Sequence, residues 1–194
     1  MGRPSLATER RAALIVAAID EIHAQGTLGV TMAAIAARAG VSGPLASHYF
    51  GTKDALITEA LRDMLRRLNA DVIAALRAAN GPRARLSALI RANFGPGQFC
   101  DKTISAWLNF YVRAQADEPT QRLLRIYFRR LQSNLLHEVR QLAPQARAEA
   151  LADTLAALID GFYLRHALRQ RPPDAGHVVA RIEETISLYL SEQT

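Results

Sequence analysis

Hydrophobic residues recur every three or four positions along most of the chain, which is the pattern of amphipathic helices. The first such stretch runs from about Thr8 to Ala24, and similar stretches follow almost to the end. No segment shows the sustained alternation of β-branched and polar residues that is typical of strands. Glycine and proline interrupt the pattern and mark turns. The sequence therefore predicts an all-α protein of about nine helices.

Capping residues and prolines set the expected helix ends. Thr31 and Ser42 are expected to cap two short helices. Thr52 is expected to cap a long helix that reaches about Asn80, and Asp101 to cap a later one. A helix that opens at Pro144 is expected to end near Gln170. Three short helices precede the six longer ones. We therefore expect a small N-terminal domain of three helices at residues 1–53 and a larger helical domain at residues 54–194.

The composition indicates a globular protein without a membrane span. Of the 194 residues, 49% are hydrophobic, yet charged or amide residues interrupt every apolar run well before the roughly 20 residues that a spanning helix needs. The N-terminus lacks the apolar stretch of a signal peptide. Cys100 is the single cysteine, which excludes an internal disulfide or a multi-cysteine zinc site. We expect a cytoplasmic protein with no cofactor or metal.

The formal net charge is +6, and arginine supplies almost all of the positive charge, because Lys53 and Lys102 are the only lysines. Such a balance favours acidic partners, of which nucleic acid is the obvious candidate. Composition alone does not separate DNA from a membrane surface, and much of the arginine could simply solvate helix surfaces.

The segment "TMAAIAARAGVSGPLASHYF", residues 31–50, fits two short helices joined by a glycine-containing turn. This is the helix-turn-helix unit, whose second helix enters the major groove of DNA. Gly40 permits the positive φ of the turn. The apolar side is supplied by Ile35, Ala36, Val41, Ala46 and Phe50.

Polar and small residues remain on the other side of the second helix and around its ends. Hydroxyls and helix N-termini suit phosphate oxygens, whereas base edges are read by hydrogen bonds and by contact with the thymine methyl. Leu45 and His48 are expected to read bases. The other expected DNA contacts are Thr31, Ser42, Gly43, Pro44, Ser47, Tyr49 and Lys53. The alternative is that Ser42 and Thr52 are ordinary caps, Tyr49 a packing residue and His48 a solvent-exposed histidine.

"TMAAIAARAGVS" followed by "HYFGTKDAL" resembles the signature of the TetR-type repressors. That resemblance implies a homodimer of all-α chains with about nine helices that binds operator DNA. Two positions depart from the usual pattern: Pro44 stands where the family usually has glycine, and Ser47 stands where most members have tyrosine.

Four further segments resemble the BetI type, the choline-sensing repressors of glycine betaine synthesis. They are "SHYF", "AWLNF", "RRLQSNLLHEVRQLAP" and "LAALIDGFYLRHAL", in the same order over most of the chain. The resemblance implies a repressor that responds to choline and controls the genes for its conversion to glycine betaine.

Aromatic residues concentrate on three predicted helices of the larger half, independently of that resemblance. Rings hold quaternary ammonium ions by cation–π attraction, since these ions cannot donate hydrogen bonds. Trp107 and Tyr163 are the preferred walls of such a site, Phe110 and Tyr111 are further candidates, and Asp160 could add a countercharge. The alternative is that these rings pack in the core.

Apolar stripes on the last two helices are expected to form a homodimer interface. The stripes are Leu151, Leu155, Leu158 and Phe162, and then Val178 or Val179, Ile182, Ile186 and Tyr189 or Leu190. Alternatively, they are buried within one chain. In the dimer, the helix from Thr52 to Asn80 would act as a lever through which a ligand alters the spacing of two recognition helices on a near-palindromic operator.

Three other interpretations compete with a choline-responsive repressor. An enzyme is disfavoured because no His-Glu-x-x-His, Gly-x-Ser-x-Gly or phosphate-loop pattern occurs. A nucleoid-coating or protein-interaction module would bind DNA without sequence preference. A TetR-type repressor with another effector, such as a hydrophobic or cationic drug or an aldehyde, fits the aromatic residues equally well.

Overall fold

The computed structural model describes residues 6–168 and 172–191, and within them it contains helices and no strands. Nine helices occur in this part of the chain: α1 (Leu6–Gln25), α2 (Met32–Arg38), α3 (Gly43–Phe50), α4 (Lys53–Ala78), α5 (Pro82–Asn93), α6 (Asp101–Arg113), α7 (Glu118–Val139), α8 (Gln145–Ala167) and α9 (Ala175–Ser191). The all-α fold predicted from the sequence is confirmed. The expected helix end near Gln170 lies outside the described residues.

Side-chain caps begin three of the helices as the sequence predicted. The hydroxyls of Thr31, Ser42 and Thr52 accept hydrogen bonds from backbone amides three residues ahead, at 3.1, 3.3 and 3.1 Å. The predicted cap at Asp101 is wrong. Cys100 occupies the cap without a side-chain hydrogen bond, and Asp101 is the first helical residue, where its negative charge favours the positive end of the helix.

The first three helices form a small unit around the turn between α2 and α3. Gly40 has φ of +67°, the left-handed conformation that the turn requires. Ile35, Ala36 and Ala46 are at most 1% exposed, so the two helices approach closely through their small side chains. Val41 packs against the same core from the turn. The apolar side predicted for the helix-turn-helix is confirmed.

The 26-residue helix α4, about 39 Å long, begins directly after this unit and runs into the larger half. Its apolar face, from Leu56 to Val72, is buried. Helix α1 packs against both α4 and α6, so the buried side chains of both halves join one hydrophobic core. The division at residue 53 therefore stays a prediction.

Helices α5 to α9 form the larger half, in which α7 packs against α4, α5, α6 and α8. The buried Glu138 of α7 pairs with Arg85 of α5 at 2.9 Å, and Arg85 also donates a hydrogen bond to the Leu76 carbonyl of α4. This arginine thus joins three helices. None of the described helices has an apolar stretch long enough to cross a bilayer.

The apolar stripes on α8 and α9 are mostly buried within the chain rather than left on its surface. Leu151, Leu155, Val178, Ile182 and Ile186 are all 0% exposed in the single chain. These residues cannot form the predicted dimer surface, because neighbouring helices already cover them. The remaining members of the stripes are partly buried and pack against the same core.

The turn between α2 and α3 gives a prediction about stability. We expect Gly40→Ala to lower the free energy of unfolding by about 1 kcal/mol, because alanine is strained at positive φ. Gly43→Ala is the matched control, since Gly43 lies in α3 and an added Cβ there meets nothing within 4 Å. Urea unfolding of both variants measures the difference. Equal stabilities would contradict the left-handed turn.

Candidate DNA-binding surface and effector site

The exposed face of α3 carries the residues predicted to contact bases and phosphates. Pro44, Ser47 and His48 are exposed, and the positions i, i+3 and i+4 place them together on the helix face opposite Ala46 and Phe50. Gly43, Leu45 and Tyr49 are partly exposed beside them, and Thr31 and Ser42 are exposed at the helix starts. Pro44, Ser47 and His48 thus share the exposed side of α3.

Two members of this surface are also held by the protein. The Lys53 ammonium donates a long hydrogen bond of 3.4 Å to the Leu28 carbonyl, so it points partly toward the chain. The Tyr49 ring lies edge-on to His48, with ring centroids 5.7 Å apart. Arg11 of α1 donates to the Tyr49 carbonyl at 2.9 Å, and its guanidinium lies 4.3 Å from the centre of the Phe50 ring. Arg11 was not predicted, and it ties α1 to the end of α3.

Aromatic rings from α6, α7 and α8 meet at Trp107. Its ring centroid lies 5.6 Å from Tyr111, 5.0 Å from Tyr127 and 6.3 Å from Tyr163. Trp107 and Tyr163 are 3% and 6% exposed, so these two rings are removed from bulk water, whereas Tyr111 and Tyr127 are partly buried. We call Trp107, Tyr111, Tyr127 and Tyr163 the ring cluster.

The ring cluster differs from the predicted set in two residues. Tyr127 belongs to it, although Tyr127 was not among the residues predicted to bind ligand. Phe110 is fully buried, and among the described residues no ring contact joins it to the cluster. Phe110 follows the buried stripe of Thr103 and Ala106 on α6, whereas Trp107 and Tyr111 form the neighbouring stripe. The alternative of core packing therefore suits Phe110.

Asp160 of α8 lies at the edge of the ring cluster. The Tyr111 hydroxyl donates a hydrogen bond of 3.2 Å to its carboxylate. Burial raises the pKa of Asp160 to about 6, and the bond from Tyr111 opposes that rise. Burial and the nearby Asp160 charge also raise the pKa of Tyr111 and of Tyr127, so both phenols stay neutral. The cluster therefore presents π faces, a hydroxyl donor and one half-buried acid.

Both the hydroxyl and the ring of Tyr163 contact other parts of the chain. Its hydroxyl donates to the Asn93 carbonyl at 2.6 Å, and the Gln98 carbonyl lies at 3.1 Å. The ring also contacts Phe94 and Phe99, with centroids 5.7 and 5.2 Å away. Tyr163 thus joins the ring cluster to the loop between α5 and α6.

A cleft of about 350 Å³ opens beside the cluster, between α4, α5 and α7. Tyr127 and Asn93 form part of its wall. Tyr127 is therefore the ring that faces the cleft while it also contacts Trp107. The five residues predicted to bind ligand are not part of this wall.

Comparison with known proteins gives two family matches. Residues 14–60 match the bacterial regulatory proteins of the tetR family, and residues 82–191 match the C-terminal part of the BetI-type transcriptional repressors. The second match spans more than half of the chain. The chain belongs to the TetR family. Its C-terminal part is of the BetI type, and this TetR-family chain is a helix-turn-helix transcriptional repressor, not an enzyme.

Similar proteins include relatives and solved structures of the same length. The HTH-type transcriptional regulator BetI of Brucella suis is 50% identical over 184 residues, which cover 95% of this chain and 93% of that protein. A transcriptional regulator from Pseudomonas aeruginosa PAO1 has a TM-score of 0.80 at 29% identity, covering 94% of this chain and 91% of that one.

A transcriptional regulator from Saccharomonospora viridis, crystallised in complex with choline, has a TM-score of 0.82. It covers 92% of this chain and 96% of its own, at 23% identity. At that identity the likeness establishes the shared fold alone.

The raised pKa of Asp160 gives a prediction about how stability depends on pH. In the unfolded chain Asp160 titrates near its ordinary pKa of 3.8, and in the folded chain near 6. Above pH 6 the folded state carries the negative charge of the half-buried Asp160. We therefore expect Asp160→Asn to raise the free energy of unfolding at pH 7.5 by on the order of 2 kcal/mol. Below about pH 4 both states are protonated and the gain should vanish. Chemical unfolding across this pH range measures it.

Asp153→Asn is the matched control, because Asp153 is an exposed acid two turns earlier on the same helix. We expect it to change stability little at either pH. A gain at pH 7.5 that persisted unchanged at pH 4 would show that the charge of Asp160 is not its cause.

Proposed function

We propose that this TetR-family repressor binds a near-palindromic operator as a homodimer and responds to choline or another quaternary ammonium compound. By analogy with its BetI-named relatives, the controlled genes would be those that convert choline to glycine betaine. A repressor of this kind works where the operator DNA is, in the cytoplasm. A half-buried carboxylate beside aromatic rings, Asp160 at the ring cluster, is the observation that carries the choice of effector.

The chemistry of choline matches these side chains. Its trimethylammonium group cannot donate hydrogen bonds, so it is bound by π faces and by negative charge. Trp107, Tyr127 and Tyr163 supply the faces, and Asp160 supplies the charge once it is ionised. The Tyr111 hydroxyl donates its proton to Asp160, and its oxygen can still accept a hydrogen bond from the hydroxyl of choline. A low local dielectric strengthens each of these attractions.

Binding of this ion requires the rings to separate, because their centroids are only 5.0 to 6.3 Å apart. Trp107 and Tyr111 lie on α6, and Arg113 follows on the same helix. Arg113 bonds Asp54 in the first turn of α4 and Asp117 at the start of α7, both at 2.9 Å. A shift of α6 would therefore act on α4 directly after the recognition helix. Effector and operator must then affect each other reciprocally.

The dimer would use the outer face of α8 and α9. Four residues at helical spacing on α8 are exposed, Ala150, Thr154, Ala157 and Leu164, and so is Leu168 directly after the helix. Leu188 is 62% exposed on α9. Small and apolar side chains allow two such helix pairs to form a four-helix bundle across a two-fold axis. Two recognition helices would then lie about 34 to 36 Å apart, or somewhat farther, on the operator.

The exposed face of α3 would read the operator. Leu45 and His48 would contact base edges, while Thr31, Ser42, Ser47, Tyr49 and Lys53 would contact phosphates, with Gly43 and Pro44 allowing close approach of the helix start. A different effector, such as a hydrophobic or cationic drug, remains the second candidate, because the ring cluster also suits flat apolar cations.

Choline binding should depend on the π face of Trp107 and on the charge of Asp160. We expect Trp107→Leu to weaken binding about tenfold and Trp107→Phe to weaken it less, because phenylalanine keeps a ring. Affinity should fall as pH decreases through about 6, since protonated Asp160 no longer attracts the cation, and Asp160→Asn should remove this dependence. Calorimetric titration at pH 5 to 8 measures both effects.

The neutral carbon isostere of choline, in which carbon replaces the ammonium nitrogen, is the ligand control for this titration. It should bind weakly and without pH dependence. Equal affinities for choline and its isostere would remove the cation preference and point to a hydrophobic effector.

DNA recognition should separate into base and phosphate contacts. We expect His48→Ala to lower the ratio of operator to scrambled-duplex affinity about tenfold at fixed salt. Ser47→Ala should weaken both duplexes alike, because a phosphate contact carries no sequence information. Fluorescence anisotropy with an operator selected from random duplexes measures the ratio. His177→Ala, an exposed histidine on α9, is the control. An unchanged ratio in His48→Ala would exclude base reading by this residue.

A further inference from the structure

The cleft between α4, α5 and α7 has a lining that the choline proposal does not use. Aliphatic side chains from three helices form half of it: Leu65, Leu68, Val72, Leu89, Leu123, Ile126 and Leu131. Its volume of about 350 Å³ lies within the range of small-molecule sites. A concave apolar wall of this size favours an elongated hydrocarbon group.

The charge of the lining is positive. Arg62, Arg66 and Arg130 contribute to it, and no aspartate or glutamate does among the described residues. Arg62 and Arg66 share Glu59, at 3.2 and 3.1 Å. Arg130 is exposed, and within the described part of the chain no ion pair joins it to a carboxylate. One guanidinium is thus available for a ligand.

The surroundings of Arg130 reinforce this charge. Helix α7 also carries Arg122, Arg125 and Arg129, all exposed, and the sequence has no acidic residue between Glu118 and Glu138. A cation near this opening is repelled and an anion is attracted. The cleft therefore selects the charge opposite to that of choline.

We propose that this cleft binds an amphipathic organic anion, with an unbranched hydrocarbon tail against the leucines and a carboxylate paired with Arg130. A planar carboxylate matches the paired donors of a guanidinium. The bound tail would contact α4 through Leu65 and Leu68, and the ring of Tyr127 from the side away from Trp107. This site is separate from the ring cluster and extends the proposed function to a second class of ligand.

Three ligands with the same tail and different heads test the proposal: decanoate, decanol and decyltrimethylammonium, each below its micelle concentration. We expect decanoate to bind at least tenfold more tightly than decyltrimethylammonium, with decanol between them. Octanoate should bind roughly tenfold more weakly than decanoate, because two buried methylenes are lost. Isothermal titration of the full chain measures all four. Equal affinity for the anionic and cationic heads would overturn the proposal.

Variants at the opening separate this site from non-specific binding. Arg130→Gln should weaken decanoate about tenfold, whereas Arg129→Gln should not, because Arg129 does not line the cleft. Ile126 lines the cleft and is 42% exposed, so both of its charged variants should fold. Ile126→Glu should abolish decanoate binding and Ile126→Lys should keep it. Equal decanoate affinities of Arg130→Gln and Arg129→Gln, or of Ile126→Glu and Ile126→Lys, would overturn the proposal.

The choline proposal is tested independently of decanoate binding. Decanoate binding that persists in Trp107→Leu supports a site apart from the ring cluster. Choline that displaces decanoate competitively, together with loss of both ligands in Trp107→Leu, would overturn the separate site. Failure of choline to bind at all, with decanoate selectivity intact, would leave the inference standing and remove the proposed effector.

Discussion

The packing of α6 against both α1 and α8 is the constraint on which the rest of the structure depends. Helix α1 closes the helix-turn-helix unit through Arg11, whereas α8 carries Asp160 and Tyr163. Lys102 at the start of α6 bonds Asp20 of α1 at 2.5 Å, and Arg113 at its end bonds Asp54. Because a close-packed interior transmits displacements rather than absorbing them, α6 cannot move without affecting the DNA-binding unit.

The half-buried position of Asp160 lowers the stability of the folded chain at neutral pH, so stability does not explain why a carboxylate stands there. Burial raises its pKa to about 6, so at neutral pH the folded chain holds a charge that water would solvate better. Tyr111 offers one hydrogen bond in return, at 3.2 Å. An asparagine would keep that bond and avoid the charge. A carboxylate at this position suits a site in which the bound ligand supplies the cation. Acids with shifted pKa values are concentrated at functional sites.

Local signals in the sequence predicted most of the fold, and contacts between distant helices account for what it missed. Thr31, Ser42 and Gly40 act on the backbone within a few residues, so their roles are readable from the chain alone. Periodicity identifies a buried face but not the helix that covers it, which is why the stripe through Leu155 was assigned to a partner chain. For the same reason the sequence did not show that Tyr127 joins the ring cluster and that Phe110 does not. Which rings contact Trp107 depends on how α6, α7 and α8 pack together.

The distribution of charge changes the meaning of the net +6. In the segment from Thr31 to Lys53 the only arginine or lysine side chains are Arg38, which pairs with Glu21 at 2.5 Å, and Lys53, which bonds a carbonyl. The surface that we propose faces DNA is therefore largely neutral, whereas Arg122, Arg125, Arg129 and Arg130 of α7 form no ion pair with a carboxylate among the described residues. Since non-specific affinity follows the number of phosphates neutralised, such a surface depends more on shape and base contacts than on counterion release. The basic composition that suggested nucleic acid thus belongs mainly to a different part of the molecule.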